Sequence, residues 1–255
     1  MKLELKKISK LSEKVEGYIK KVEEETGRPA LIKSVQDVGL NGMSAVFILD
    51  PKYIRVEIIE KYFYDSKGEI DQGGFECVIA HEVTHGLLAY KKEYYQLDIV
   101  HKCNKLEKDS IDLIYSMVED CVVYKIMHEN NFQLLPKRFI NRVKDEIEDL
   151  LKGKDCYENY NKYPLIFKDR YIVYRHIILS LGVLKYFNPG EFDKNIIYKF
   201  LKIFQKSYPK QYKEAEQIIK IILKNDIFTP EGCRKATKES LDLWNLTNLV
   251  KFYIY

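Results

Sequence analysis

Apolar side chains at Leu5, Ile8, Leu11, Val15, Tyr18, Ile19 and Val22 recur at helical spacing, which predicts a helix over residues 5–26. Gly27 stands where a helix ends in a left-handed residue, and Pro29 follows as a stop. The pattern then changes. Residues 30–38, 44–49 and 53–62 are rich in Val, Ile, Phe and Tyr, and turn residues separate them at Gly39-Leu40-Asn41-Gly42 and Asp50-Pro51. Ile54, Val56 and Ile58 alternate with Arg55 and Glu57, the period of a half-buried strand. Three strands, mostly antiparallel, are therefore expected, with a further turn at Asp65-Ser66-Lys67-Gly68 and a short strand beside it.

Asp71-Gln72-Gly73-Gly74 leads into a second helix over residues 75–90, its glycines allowing a sharp entry. Residues 91–108 are polar and read as irregular. A strong helix follows over 111–128, where Ile111, Ile114, Val118, Cys121 and Val122 share one face. Further helices are expected over 136–151, 170–186, 191–207, 211–225 and 230–246. Thr229-Pro230-Glu231 gives the last of them an N-cap threonine and a proline at its first position. The fold class is α+β: a small, mostly antiparallel sheet and the helix of residues 75–90, then a largely α-helical C-terminal portion. Residues 1–130 form the core and 131–255 a helical portion that closes a cleft, the two making one continuous domain.

The chemistry concentrates in Val78-Ile79-Ala80-His81-Glu82-Val83-Thr84-His85-Gly86-Leu87. On a helix, His81 and His85 are one turn apart and share a face. Two neutral imidazoles so spaced can hold one zinc, and Glu82 beside them can take a proton from a zinc-bound water. Gly86 costs the helix about 1 kcal/mol relative to alanine, which a close neighbour or helix packing would explain. Glu119 and Asp120 stand in the apolar helix of residues 111–128, where a carboxylate is costly unless paired or on a metal. Either is a natural third ligand; His101 is another candidate.

This stretch resembles the active-site helix of the zincin metallopeptidases, whose signature is His-Glu-x-x-His. The resemblance covers about ten residues and a ligand downstream. It implies a zinc-dependent metallopeptidase, with Glu82 as the base and zinc on His81, His85 and a third residue. One class of zincins places a glycine three residues and a histidine six residues after the second histidine. Leu88 and Lys91 occupy those positions, which excludes that class. The gluzincins use a glutamate from a following helix, and Glu119 fits that pattern best. Many gluzincins also place an aspartate four residues after that glutamate, and Val123 stands there instead. The resemblance further implies an edge strand that binds the substrate backbone, either 44–49 or 53–59. It also implies a tyrosine or histidine that steadies the oxyanion, for which His176 and Tyr174 are the candidates.

Composition narrows the partners. The 42 basic and 38 acidic residues leave a net charge of +4, too small an excess to argue for nucleic acid. The charged first twenty residues lack the apolar run of a signal peptide, and no 18-residue apolar run is present, so no membrane partner is expected. Five cysteines without a C-x-x-C pair read as reduced thiols, and the expected location is cytoplasmic. The resemblance implies a peptide or protein as substrate. Two other readings of the same residues are a regulatory protease with one specific partner, and a non-catalytic zinc-stabilised interaction module.

Overall fold

The computed structural model describes residues 2–4, 11–36, 44–91, 95–99 and 103–254. The chain divides into two compact units, Met1–Tyr94 with Ile126–Ile140, and Tyr95–Lys125 with Asn141–Tyr255. The architecture is α+β, as the residue pattern predicts.

In the first unit, strand β1 (Lys2–Glu4) is followed by helix α1 (Glu13–Thr26), strands β2 (Ala30–Ser34), β3 (Ala45–Leu49) and β4 (Ile54–Ile58), and helix α2 (Gln72–Tyr90). The sheet order is β1-β2-β4-β3. β1 and β4 each run parallel to β2, and β3 runs antiparallel to β4, so the sheet is mixed where antiparallel pairing was expected to predominate. The alternation in β4 is as read from sequence: Ile54, Val56 and Ile58 are fully buried. β4 lies between two neighbours, whereas β3 is an edge strand of the described sheet. Of the two strands expected to be able to bind a substrate backbone, β3 is the one at an edge of the described sheet.

Helix α1 ends at Gly27, whose φ of 67° is the left-handed conformation expected there. The predicted first seven residues of this helix fall partly on residues 5–10, which lie outside the described residues, as does the Gly39–Gly42 turn. The chain after β4 turns into a short 3₁₀ helix (Glu60–Phe63) rather than continuing as strand to residue 62. The Asp65–Gly68 turn is flanked by a bridge between Tyr64 and Ile70. Asp71 then caps α2, its Oδ1 accepting from Gly74 N at 3.2 Å, while its Oδ2 accepts from Lys137 N at 2.7 Å. A Cβ on Gly74 would lie 2.7 Å from Pro136 Cα, which explains a glycine at this entry.

Helix α2 packs on β3 and β4 through Gly86. A Cβ there would press into Ile54 Cγ2 and lie 3.3 Å from Phe47 Cε2. Ile54 is fully buried in a central strand and β-branched, so it cannot swing aside. Overpacking of this kind costs about 1–3 kcal/mol, against a gain of about 1 kcal/mol in helix propensity. Gly86→Ala is therefore expected to lower stability by up to about 2 kcal/mol in urea unfolding; a more stable variant would contradict this packing.

The second unit contains strand β5 (Tyr95–Ile99) and helices α3 (Lys105–Glu129, shared with the first unit from Ile126), α4 (Lys137–Leu151, shared up to Ile140), α5 (Leu165–Ile177), α6 (Glu191–Ser207), α7 (Pro209–Lys224) and α8 (Pro230–Leu243). Strand β6 (Val250–Ile254) ends the described chain and pairs antiparallel with β5. The stretch expected to be irregular thus holds a strand, because its pairing partner is 150 residues away in sequence and leaves no local trace. Helix α5 starts after Pro164, earlier than predicted, and continues with π winding over Ile178–Phe187. Thr229 caps α8 as read, its Oγ1 accepting from Gly232 N at 3.1 Å. The five cysteines are all free thiols. Among the described residues no helix is long and apolar enough to cross a membrane.

Candidate metal centre

The histidine pair is built on α2. Ile79, Ala80, Val83 and Leu87 are buried and hold the helix on its apolar side. Thr84 is fully buried. Its Oγ1 lies 2.6 Å from Ala80 O and 2.6 Å from the hydroxyl of Tyr18 in α1. Burial pushes the Tyr18 hydroxyl up to about 12, so it stays a neutral hydrogen-bonding group. The contact sets the rotation of α2 about its own axis, because Thr84 sits between the two histidines.

His81 and His85 are half-buried on the exposed side of α2. Their Nε2 atoms are 3.2 Å apart and their rings meet at 74°. Two nitrogens on one tetrahedral zinc, each at about 2.0–2.1 Å, lie about 3.3 Å from each other. The pair therefore already has the separation that a shared metal ion requires. Between them in sequence, Glu82 turns its carboxylate to the sheet edge, where Oε2 accepts from Phe47 N at 2.8 Å.

In the second unit, Glu119 and Asp120 are both buried on α3. Neighbouring helical residues point about 100° apart, and the two carboxylates accordingly find different partners. Asp120 Oδ2 accepts from Tyr174 OH at 3.1 Å. Burial, with Asp120 beside it, holds the Tyr174 hydroxyl well above the usual tyrosine range. Glu119 accepts from the hydroxyl of Tyr115, one turn earlier, and burial pushes that hydroxyl up as well.

No protein-family model, curated protein or solved structure matches the chain. The chemistry of the site has to come from its own residues. His81 and His85, within the first unit, are donors that could hold a metal ion. Glu119 and Asp120, in the second unit, are both carboxylates of the kind that completes such a ligand set. His101 lies outside the described residues. Val123 is fully buried and apolar, so no carboxylate stands at that helical position.

The two oxyanion candidates separate. Tyr174 bonds Asp120, as described. His176, two residues on, faces the interior of its own unit: its ring lies 4.8 Å from Phe204 and 5.3 Å from Tyr212, centroid to centroid. Burial lowers its pKa to about 4, and its Nε2 is 3.9 Å from Glu216 Oε1. It is a neutral core histidine in a shell of aromatic side chains. Sequence reasoning missed the Phe47–Glu82 bond, which no side-chain pattern could have signalled because its donor is a backbone amide. It also missed Tyr115, whose only mark in the sequence is its position four residues before Glu119.

Proposed function

We propose that the chain is a zinc-dependent metallopeptidase in which His81 and His85 hold the ion with a carboxylate as third ligand, and Glu82 is the general base. The reading rests chiefly on one observation: two imidazole Nε2 atoms 3.2 Å apart on one helical turn, with a carboxylate on the residue after the first. Two imidazoles and a carboxylate are an established donor set for catalytic zinc, and three protein ligands leave a position for water. Zinc bound there supplies a Lewis acid and a water acidic enough to lose its proton near neutral pH.

The chain's own residues do the rest. Glu82 receives the proton from the nucleophilic water and delivers it to the leaving amine. β3 lies at an edge of the described sheet, where an extended peptide could add as a further strand beside the amide that holds Glu82. Tyr174 holds Asp120 by a hydrogen bond, the usual way in which a ligand carboxylate is fixed in one orientation. This assigns Tyr174 to ligand orientation in place of the oxyanion role. Removing such a bond typically weakens metal binding by about 10–100-fold. Tyr174→Phe, which keeps the ring, is expected to weaken zinc binding by about 10-fold or more in a chelator competition. An unchanged affinity would remove Asp120 from the ligand set.

Peptide-library cleavage tests the activity itself. The zinc-loaded protein is expected to cut extended peptides, to lose that activity to a chelator, and to regain it with zinc. Cleavage that survives metal removal would overturn the reading. Absence of cleavage together with metal-dependent folding would replace it with a zinc-stabilised interaction module.

A further inference from the structure

The bond between Glu82 and the sheet is unusual in its donor. β3 pairs with β4 on one side only. Ile59 N donates to Ser44 O at 2.8 Å, and Ile54 N points the other way, to Pro29 O at 3.0 Å. With the antiparallel register of Ala45↔Ile58 through Leu49↔Ile54, these bonds fix the alternation in β3. Val46 and Ile48 turn their backbone groups to β4. Ala45, Phe47 and Leu49 turn theirs outward, to the open edge.

An outward amide on an edge strand needs a partner or water. Phe47 N finds Glu82 Oε2 at 2.8 Å. Meanwhile the Phe47 ring packs on α2, in a T-shaped contact with Tyr90 at 5.9 Å and against Gly86. The same residue therefore anchors α2 by its ring and grips the carboxylate by its amide. A glutamate has three side-chain torsions, and a base must keep its oxygen within about 0.5 Å of the productive position. One charge-assisted bond to a rigid strand removes most of that freedom.

We propose that the backbone amide of Phe47 is a positioning group for Glu82: by holding Oε2 it presents Oε1 to the reacting water. The claim rests on the metallopeptidase reading above. It differs from a merely structural tie in predicting that the loss falls on turnover, with little change in substrate binding or in metal content. It also predicts that α2 and β3 stay together when the amide is removed, because ring packing holds them.

The direct test replaces the amide at residue 47 by an ester, incorporating the α-hydroxy analogue of phenylalanine. The ring stays and the outward N–H is lost; the Val46 carbonyl, which faces β4, becomes a weaker ester acceptor, a change common to every background that carries the ester. In the zinc-loaded full chain, kcat is expected to fall about 10-fold or more, with KM within about twofold and zinc content unchanged. A second readout needs no turnover. The ester should lower the metal-free thermal midpoint of the wild-type chain more than that of Glu82→Ala, since in the latter the amide has already lost its acceptor and only the common weakening toward β4 is left. Phe47→Pro, read against Phe47→Leu, repeats the comparison with ordinary residues. An unchanged kcat in the ester variant, or an equal drop in midpoint in both backgrounds, would overturn the positioning role. A wild type that cleaves no peptide would overturn the metallopeptidase reading and the positioning role with it, whereas active wild type with an equally active ester overturns the positioning role alone.

Discussion

Glu82→Gln is expected to cut peptide turnover by at least 100-fold while zinc remains bound. The glutamine keeps the length and shape of the side chain, and its carbonyl oxygen can still accept from Phe47 N, so the tie between α2 and β3 survives. What it lacks is an oxygen basic enough to take a proton. General-base catalysis by a placed carboxylate is worth about 10²–10⁴ in rate, or about 3–5 kcal/mol in the barrier. The proposed ligands on α2 are the neighbouring imidazoles, which the substitution does not touch. Turnover and zinc content, measured on the same preparation, therefore separate. Turnover within threefold of wild type would mean that Glu82 is not the base; joint loss of zinc and activity would mean that it is a structural part of the ligand cage.

Arg175→Leu is expected to destabilise the second unit by about 3–5 kcal/mol in urea unfolding. Arg175 and Glu146 are both almost wholly buried. The guanidinium reaches Glu146 Oε2 with Nε at 3.3 Å and Nη2 at 3.2 Å, and Arg142 Nε reaches Oε1 at 3.1 Å. The carboxylate is thus held from two sides, one of them half-exposed. Removing Arg175 leaves a buried charge with a single partner at its wet side, and the desolvation already incurred by Glu146 is no longer offset. Lysine at 175 would carry the charge without the two-pronged geometry and is expected to recover only part of the loss. Leu at both 175 and 146 should be closer to wild type than Arg175→Leu alone, because no unpaired charge is then buried. A loss below about 1 kcal/mol for the single variant would show that Arg142 alone satisfies the carboxylate.

The elements whose hydrophobic period is closed within a few turns were legible in the sequence. The alternation of β4, the cap of α8, the glycine end of α1 and the α2 helix around His81 and His85 all follow from local rules of spacing and capping. What escaped is what depends on partners far along the chain. β5 is a strand because β6 pairs with it, and its own residues mix polar and apolar without a clear period. The parallel pairing of β2 with β4 is likewise a matter of topology, since the strand between them in sequence lies at the sheet edge. At the site, the histidine pair and Glu82 were visible because one helical turn brings them together. The partners of Glu119 and Asp120 were not, because adjacent helical residues point about 100° apart and the sequence does not say what each one faces. Tyr115 takes one carboxylate and Tyr174 the other. His176, a candidate for steadying the oxyanion on sequence grounds, is buried against Phe204 and Tyr212 within its own unit, a setting its sequence neighbours do not reveal.

Metal content is the measurement closest to the centre of this account. Purified wild type, offered zinc and then freed of excess, is expected to carry one equivalent by elemental analysis. His81→Ala with His85→Ala is expected to carry none, and Asp120→Ala much less than wild type. Zinc-free wild type, or equal zinc in wild type and in the double histidine variant, would contradict the metal centre on α2 and with it the proposed chemistry.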